Sequence, residues 1–311
     1  RADGERLDSA LVIVFAHGAS FTGEAVVEFM THGSVATIAA LETCLVQDHG
    51  LRLAGPGEFT RRALENGVLD LTQVEGLADL LDAETEMQRK QALRVLDGAA
   101  ARAVDGWRAH LLKAAALVEV GIDFVEEDVG NWDDQILREL EPVVDSLRTE
   151  LRGLAARERV RTGFEVALVG SVNAGKSTLL NALAGREAAI TSDIAGTTRD
   201  VLELRMDIGG FAVTLLDTAG LCATEESIES IGIARGQKRA DAADIRIILC
   251  DSPDDPPPVA AREGDIVLFS KADLYPHAQG GISGLTGAGL DDLLASIAQE
   301  LSTRVARDGV A

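Results

Sequence analysis

The chain has 311 residues, of which 46% are apolar and 26% charged, enough for about two domains with their own cores, and this excludes a disordered or disulfide-stapled peptide. With 51 acidic against 29 basic residues its formal charge is −22, which excludes broad, sequence-independent wrapping of nucleic acid, because phosphate binding runs on Lys and Arg. Cys44, Cys222 and Cys250 form no CxxC pair, so reduced thiols are expected rather than a disulfide framework or a zinc site.

In chain order, Arg1 to Asp8 are too charged for a signal peptide, and no run reaches the roughly 18 apolar residues of a membrane span. A cytoplasmic location is expected. The chain starts at Arg1 rather than Met, and one or both natural ends are expected to lie outside it. Residues 11–15 (LVIVF) predict a short buried strand, 24–31 and 34–48 helices, and 51–54 (LRLA) a further strand, together a small α+β unit. From Leu71 to Arg161 strands vanish and apolar residues recur at helical spacing, as in Leu77, Leu80 and Leu81, then Leu111, Leu112, Ala115 and Val118. Within this helical layer, residues 119–150 hold 11 Asp or Glu against 2 Arg, a solvated acidic face.

At Phe164 the texture changes to FEVALVG, an unbroken apolar run suited to a strand buried on both faces of a parallel sheet. Residues 211–217, 245–250 and 265–270 repeat it, alternating with predicted helices at 177–185, 228–240 and 289–301. That alternation predicts a doubly wound α/β domain over about 163–302. Only 14 residues, including Pro256, Pro257 and Pro258, separate Cys250 from Asp265, so the helix of that crossover must be very short or irregular.

The first of these strands runs into Gly170-Ser-Val-Asn-Ala-Gly175-Lys176-Ser177, a complete GxxxxGK[ST] loop, and then into a helical stretch from Thr178. Strand, loop and helix are the context such a loop needs to cradle phosphates: backbone N–H groups and the helix dipole meet the anion, Lys176 bridges the outer phosphates, and Ser177 can ligate Mg²⁺. Asp217-Thr218-Ala219-Gly220 follows the strand 211–217, offering a carboxylate to the Mg²⁺ shell and a glycine N–H to the γ-phosphate. Ser270-Lys271-Ala272-Asp273 ends the strand 265–270. Asp273 can accept both the ring N–H and the amino group of guanine, a donor pair adenine lacks. Ile282-Ser283-Gly284 then offers backbone donors to the guanine oxygen. In series these motifs read as a GTPase.

Beyond the phosphate loop, FTGEAVVEF (21–29), PGEFTRRALENGVLDLTQVEGLADLLDAET (56–85), NAGKSTLLNALAGREAAIT (173–191), DIAGTTRDV (193–201) and DTAGL with IESIGIAR (217–235) resemble the tRNA-modification GTPase family known as MnmE or TrmE. The resemblance implies an N-terminal folate-binding-like α+β domain over 1–68, the first half of a helical domain over 69–162, and an α/β P-loop GTPase domain, mostly parallel and inserted in the helical one, over 163–302. Residues 303–311 would begin the returning helical segment. It further implies nucleotide contacts from Asn173, Ala174, Gly175, Lys176, Ser177, Thr178, Ser192, Asp193, Ile194, Ala195, Gly196, Thr197, Thr198, Asp217, Thr218, Ala219, Gly220, Lys271, Asp273 and Ser283.

Leu221 stands where Ras-type GTPases carry the water-orienting Gln, and the resemblance gives that work to Glu229 as the catalytic residue. In place of an arginine finger it implies a potassium ion held by Asn173, Ser192, Ile194 and Thr197 when two GTPase domains of a homodimer meet, with Thr198 closing on Mg²⁺ opposite Ser177. It also implies a tetrahydrofolate one-carbon donor contacted by Glu28, and a flavoprotein partner, MnmG, in a heterotetramer that modifies C5 of wobble uridine in tRNA. Val68, Val172 and Ser270 depart from the family's usual Lys, Pro and Asn. Two other readings stand beside this one: a GTPase switch of the ribosome-assembly kind without modifying activity, and a scaffold that binds nucleotide without turnover.

Overall fold

The computed structural model describes residues 4–123, 132–171, 173–186, 188–190, 203–217 and 238–307. By their contacts, Arg1–Ala78 with Val95–Ala101 form one compact unit and Asp79–Arg94 with Arg102–Ala311 a second.

In the first unit, β1 (Leu11–Phe15) pairs antiparallel with β2 (Val26–Met30), Leu11 opposite Met30 and Ile13 opposite Glu28. Residues 24–31, expected to be helical, therefore hold a strand at Val26–Met30. Val26, Val27 and Phe29 are strand formers whose chain is turned back by Gly23 at φ 75°, and pairing with β1 outweighs the apolar spacing. Helix α1 (Val35–Gln47) starts where Ser34 Oγ accepts the N–H of Thr37. Among the described residues, 51–54, expected to be a strand, pair with no strand. Arg52 instead directs its guanidinium at Glu58 in the first turn of α2 (Glu58–Glu65), where Arg62 grips the same carboxylate. Helix α3 (Leu71–Leu81) opens on a capping box in which Asp70 accepts the Gln73 N–H and Gln73 Oε1 accepts the Asp70 N–H.

In the second unit, α5 (Ala99–Asp123) follows α4 (Glu86–Leu96), and α6 (Trp132–Thr162) then leads into the sheet. Trp107 Nε1 donates to Ser146 Oγ at 2.9 Å, tying α5 to α6, and Gln88 and Gln91 donate to the carbonyls of Arg161 and Arg157 near the end of α6. The basic run before the sheet is neutralised by neighbours: Arg157 pairs with Glu150, Arg159 with Asp244 and Arg161 with Glu158.

The sheet comprises β3 (Phe164–Gly170), β4 (Glu203–Ile208), β5 (Phe211–Asp217), β6 (Ile245–Cys250), β7 (Ile266–Ser270) and β8 (Gly281–Ile282). Their order is β4-β5-β3-β6-β7-β8, with every pair parallel except the β4–β5 hairpin. Helix α7 (Lys176–Ala184) follows β3, and α8 (Leu290–Arg307) closes the domain. The core joins Val166, Leu168, Leu215, Ile247 and Leu249 of the sheet to Leu179 and Leu183 of α7 and Leu293, Ile297 and Leu301 of α8. Each such side chain contributes about 1.5–3 kcal/mol on burial. The crossover 251–264 contains no helix, as its prolines and length require. Arg246 is buried and the Asp265 side chain is nearly covered, and the pair braces it: Arg246 Nη2 donates to Asp265 Oδ2 at 2.5 Å and to the carbonyl of Ala260 at 2.9 Å.

Candidate functional site

Strand β3 ends at Gly170, where a Cβ would lie 3.0 Å from the carbonyl oxygen of Leu249 and 3.1 Å from Ala174 Cβ, so a side chain there would crowd both β6 and the loop. The loop then passes through two left-handed residues, Asn173 at φ 75° and Gly175 at φ 78°, before α7 begins at Lys176. A left-handed Asn costs on the order of 1 kcal/mol and is held by the surrounding loop. The conformation turns successive N–H groups toward the space above the first turn of α7, the arrangement that binds a phosphate. Lys176 is buried, and its Nζ donates to the carbonyls of Gly170 at 2.8 Å and Ser171 at 2.6 Å. Ser171 Oγ donates to both carboxylate oxygens of Asp251, at 2.8 and 2.7 Å, tethering the loop to the end of β6.

Ser177 Oγ donates to Asp217 Oδ2 at 2.8 Å, and Asp217 is 3% exposed at the end of β5. A hydroxyl and a buried carboxylate sharing one small space at a phosphate loop make an all-oxygen donor set suited to Mg²⁺. Among the described residues, Asn173, Ala174, Gly175, Lys176, Ser177, Thr178 and Asp217 are thus brought together. Ser192 to Thr198, Thr218, Ala219, Gly220 and Glu229 lie outside the described residues, as do Val172 and Cys222.

About 170 Å³ of cavity lies on the other side of the loop, bounded by Gly175 of the loop, Thr178 of α7, Lys271 and Asp273 after β7, and Ser283 and Leu285 after β8. Lys271 adopts φ 56°, which swings the chain so that Asp273 reaches back to this cavity. Ser283 Oγ, 1% exposed, donates to Asp273 Oδ1 at 2.5 Å and accepts the Thr286 N–H at 3.3 Å. The role expected of Ser283 changes accordingly: its backbone N–H is bound to the carbonyl of Ala288, and its hydroxyl orients the carboxylate. Gly284 approaches α7 so closely that a Cβ would sit 2.9 Å from the backbone of Thr178 and Leu179. Among the described residues, Ser270 Oγ is buried in this lining with no hydrogen-bond partner. Sequence reasoning missed the Ser171–Asp251 tether and the Ser283 hydroxyl, because both pairs are distant in the chain and neither forms a motif.

Burial pushes the Cys250 thiol up, which makes it an unreactive packing residue beside the loop. A larger cavity of about 520 Å³ opens by Arg159, Phe164 and Asp244, at the opposite end of β3 and β6, and holds none of the motif residues. Glu28 is exposed on β2. Among the described residues no helix is long and apolar enough to cross a membrane.

Two family models match the chain: "MnmE helical domain" over residues 71–310 and "GTP-binding protein TrmE N-terminus" over residues 1–68. The tRNA modification GTPase MnmE of Ruegeria sp. (strain TM1040) is 54% identical over 309 residues, spanning 99% of this chain and 72% of that protein. Its counterpart from Roseobacter denitrificans is 55% identical over 310 residues, with the same shares. Among solved structures, a GTP-binding protein from Sulfolobus solfataricus in complex with GDP aligns with 81% of this chain and 79% of its own, at 16% identity and a TM-score of 0.33.

Proposed function

The chain belongs to the MnmE (TrmE) family of tRNA modification GTPases and is a GTP hydrolase acting in tRNA modification, and from that premise we propose that its turnover depends on potassium and drives modification at C5 of wobble uridine. A flavoprotein partner, MnmG, joins a homodimer of this chain in that work, in the cytoplasm. The observation that carries the hydrolytic part is the Ser177–Asp217 contact beneath the phosphate loop, with Lys176 beside it.

In this reading the N–H groups of Asn173 to Thr178 would hold the β-phosphate, Lys176 would exchange carbonyl oxygens for phosphate oxygens, and Ser177 and Asp217 would hold Mg²⁺. Bound Mg²⁺ neutralises charge on the β- and γ-phosphates. Asp273, oriented by Ser283, accepts the guanine N–H pair and rejects adenine. Ser192 to Thr198 with Thr218, Ala219 and Gly220 would supply contacts to the γ-phosphate, and Thr198 would be a further ligand for Mg²⁺. Asn173, Ser192, Ile194 and Thr197 would hold potassium, supplying the positive charge that an arginine finger otherwise gives, and Glu229 would orient the attacking water. Domains at 1–68, 69–162 and 163–302, with 303–311 starting the returning helical segment, complete the proposal, with Glu28 touching a tetrahydrofolate. A charge of −22 and the paired arginines of α6 support weak tRNA binding by this chain alone, the phosphate contacts falling to the partner.

Turnover of GTP in potassium and in sodium, with Mg²⁺ and with or without the flavoprotein, tests the reading. A potassium-specific rate supports it, and a modification product on tRNA only with both proteins completes it.

A further inference from the structure

Ser171, the second residue of the phosphate loop, is the point at which three of its contacts meet. Its carbonyl accepts the Ala174 N–H at 3.2 Å, closing the turn that carries Asn173, and the same oxygen receives Lys176 Nζ at 2.6 Å. Its hydroxyl makes a bifurcated hydrogen bond to Asp251, at 2.8 Å to Oδ1 and 2.7 Å to Oδ2. The pairing follows from register: Gly170 lies opposite Leu249 where β3 and β6 run parallel, so the residue after β3 and the residue after β6 emerge at the same edge of the sheet. Beyond Asp251 the chain is turned by its own contacts, Ser252 Oγ donating to Asp255 Oδ2 at 2.8 Å and the Asp255 N–H to the Ser252 carbonyl at 3.3 Å.

We propose that Asp251 is a positioning residue for the outer phosphates of the nucleotide, acting through Ser171 to hold the phosphate loop in its binding conformation before the ligand arrives. The proposal rests on the reading of residues 170–177 as a phosphate loop. A carboxylate only accepts, and a hydrogen bond to it is roughly twice as strong as one between neutral groups, so the Ser171 side chain has one strongly favoured direction. Fixing that side chain fixes the carbonyl between the Ala174 N–H and Lys176 Nζ, and a loop already ordered loses less entropy on binding. Asp251 is exposed and Ser171 half-buried, so water competes and the gain is several-fold rather than absolute. The tether belongs to the loop and not to the cavity beside Asp273, so its effect falls on the outer phosphates and not on the base. The same carboxylate brings negative charge to the rim of a phosphate site, which opposes binding; removing the Ser171 hydroxyl deletes the bond and leaves that charge in place.

The test uses the full chain in Mg²⁺ and measures affinity for GDP and for GMP, which lacks the outer phosphate. Ser171→Ala is expected to weaken GDP about fivefold and GMP by less than about twofold, and Ser171→Thr, which keeps the hydroxyl, to bind both within about twofold of wild type. In an Asp251→Ala background, where the charge is gone from both members of the comparison, Ser171→Ala is expected to cost nothing further. Unchanged GDP affinity in Ser171→Ala, equal losses for GDP and GMP, or the same fivefold loss with and without Asp251 would overturn the proposal. Should Asp251→Ala fail to fold, Ser171→Thr decides in its place: wild-type GDP affinity supports the tether, and a loss equal to that of Ser171→Ala overturns it. A wild-type chain that binds GDP no more tightly than GMP removes the premise itself, whatever the variants do.

Discussion

Ser177 Oγ lies 2.8 Å from Asp217 Oδ2, so the first turn of α7 and the last residue of β5 share one proton beneath the phosphate loop. Ser177→Ala removes this bond and, in the proposed reading, the hydroxyl that would ligate Mg²⁺. GTP turnover is expected to fall at least about 100-fold, with a higher Mg²⁺ requirement, while stability changes by only about 1 kcal/mol. A Mg²⁺ titration of turnover checks it, and a variant with wild-type Mg²⁺ dependence would refute the assignment.

Asp273 and Ser283 make a second prediction. Asn in place of Asp273 presents an N–H₂ where guanine also presents donors, whereas xanthine offers a carbonyl there, so Asp273→Asn should prefer XTP over GTP by about 100-fold or more. Ser283→Ala should raise KM for GTP about tenfold, since hydrogen bonds to a charged group are worth about 1.5–3 kcal/mol. Competition between the two nucleotides reads out both variants.

In the N-terminal unit, Glu58 is gripped by the Arg52 guanidinium, the Gly55 N–H and Arg62, which hold its carboxyl well below the usual carboxylate range. Asp8, accepting the N–H groups of His32 and Ser9, is lowered to about 2. Because both folded values are depressed, the stability they lend is present above their ordinary values of 4.5 and 3.8 and is lost as pH falls through the folded ones. Glu58→Gln should therefore melt lower than wild type near neutrality and converge with it at the acid end. A difference that stays constant with pH would contradict this.

The nearly covered side chains of Arg246 and Asp265 brace a parallel crossover that has no helix of its own. Asp265→Ala strands the guanidinium between β6 and β7 and should cost about 3–5 kcal/mol in urea denaturation. Replacing both by Met and Leu should cost less than the single change, because no buried charge is left behind.

Much of this was legible in the chain itself. The strand at Phe164, the phosphate loop and the Asp217 and Asp273 motifs are local patterns, and each sits where its spacing places it. That the crossover could hold at most a very short or irregular helix followed from four prolines in 14 residues. Strand β2 did not follow, because its residues carry apolar spacing compatible with a helix and only the partner β1 decides. Strand β4 and two-residue β8 escaped notice for the same reason: an edge strand of mixed polarity such as ELRMDI carries no period of its own. Ser283 reached the site through its hydroxyl rather than its N–H, a choice made by Ala288, five residues further on.

The central claim, a GTPase that recruits potassium in place of an arginine finger, is tested most directly by steady-state GTP turnover in Mg²⁺ with potassium or sodium as the only monovalent cation. The account predicts turnover at least about tenfold faster in potassium, lost in Glu229→Ala although that variant still binds GTP. Equal rates in the two salts would contradict it.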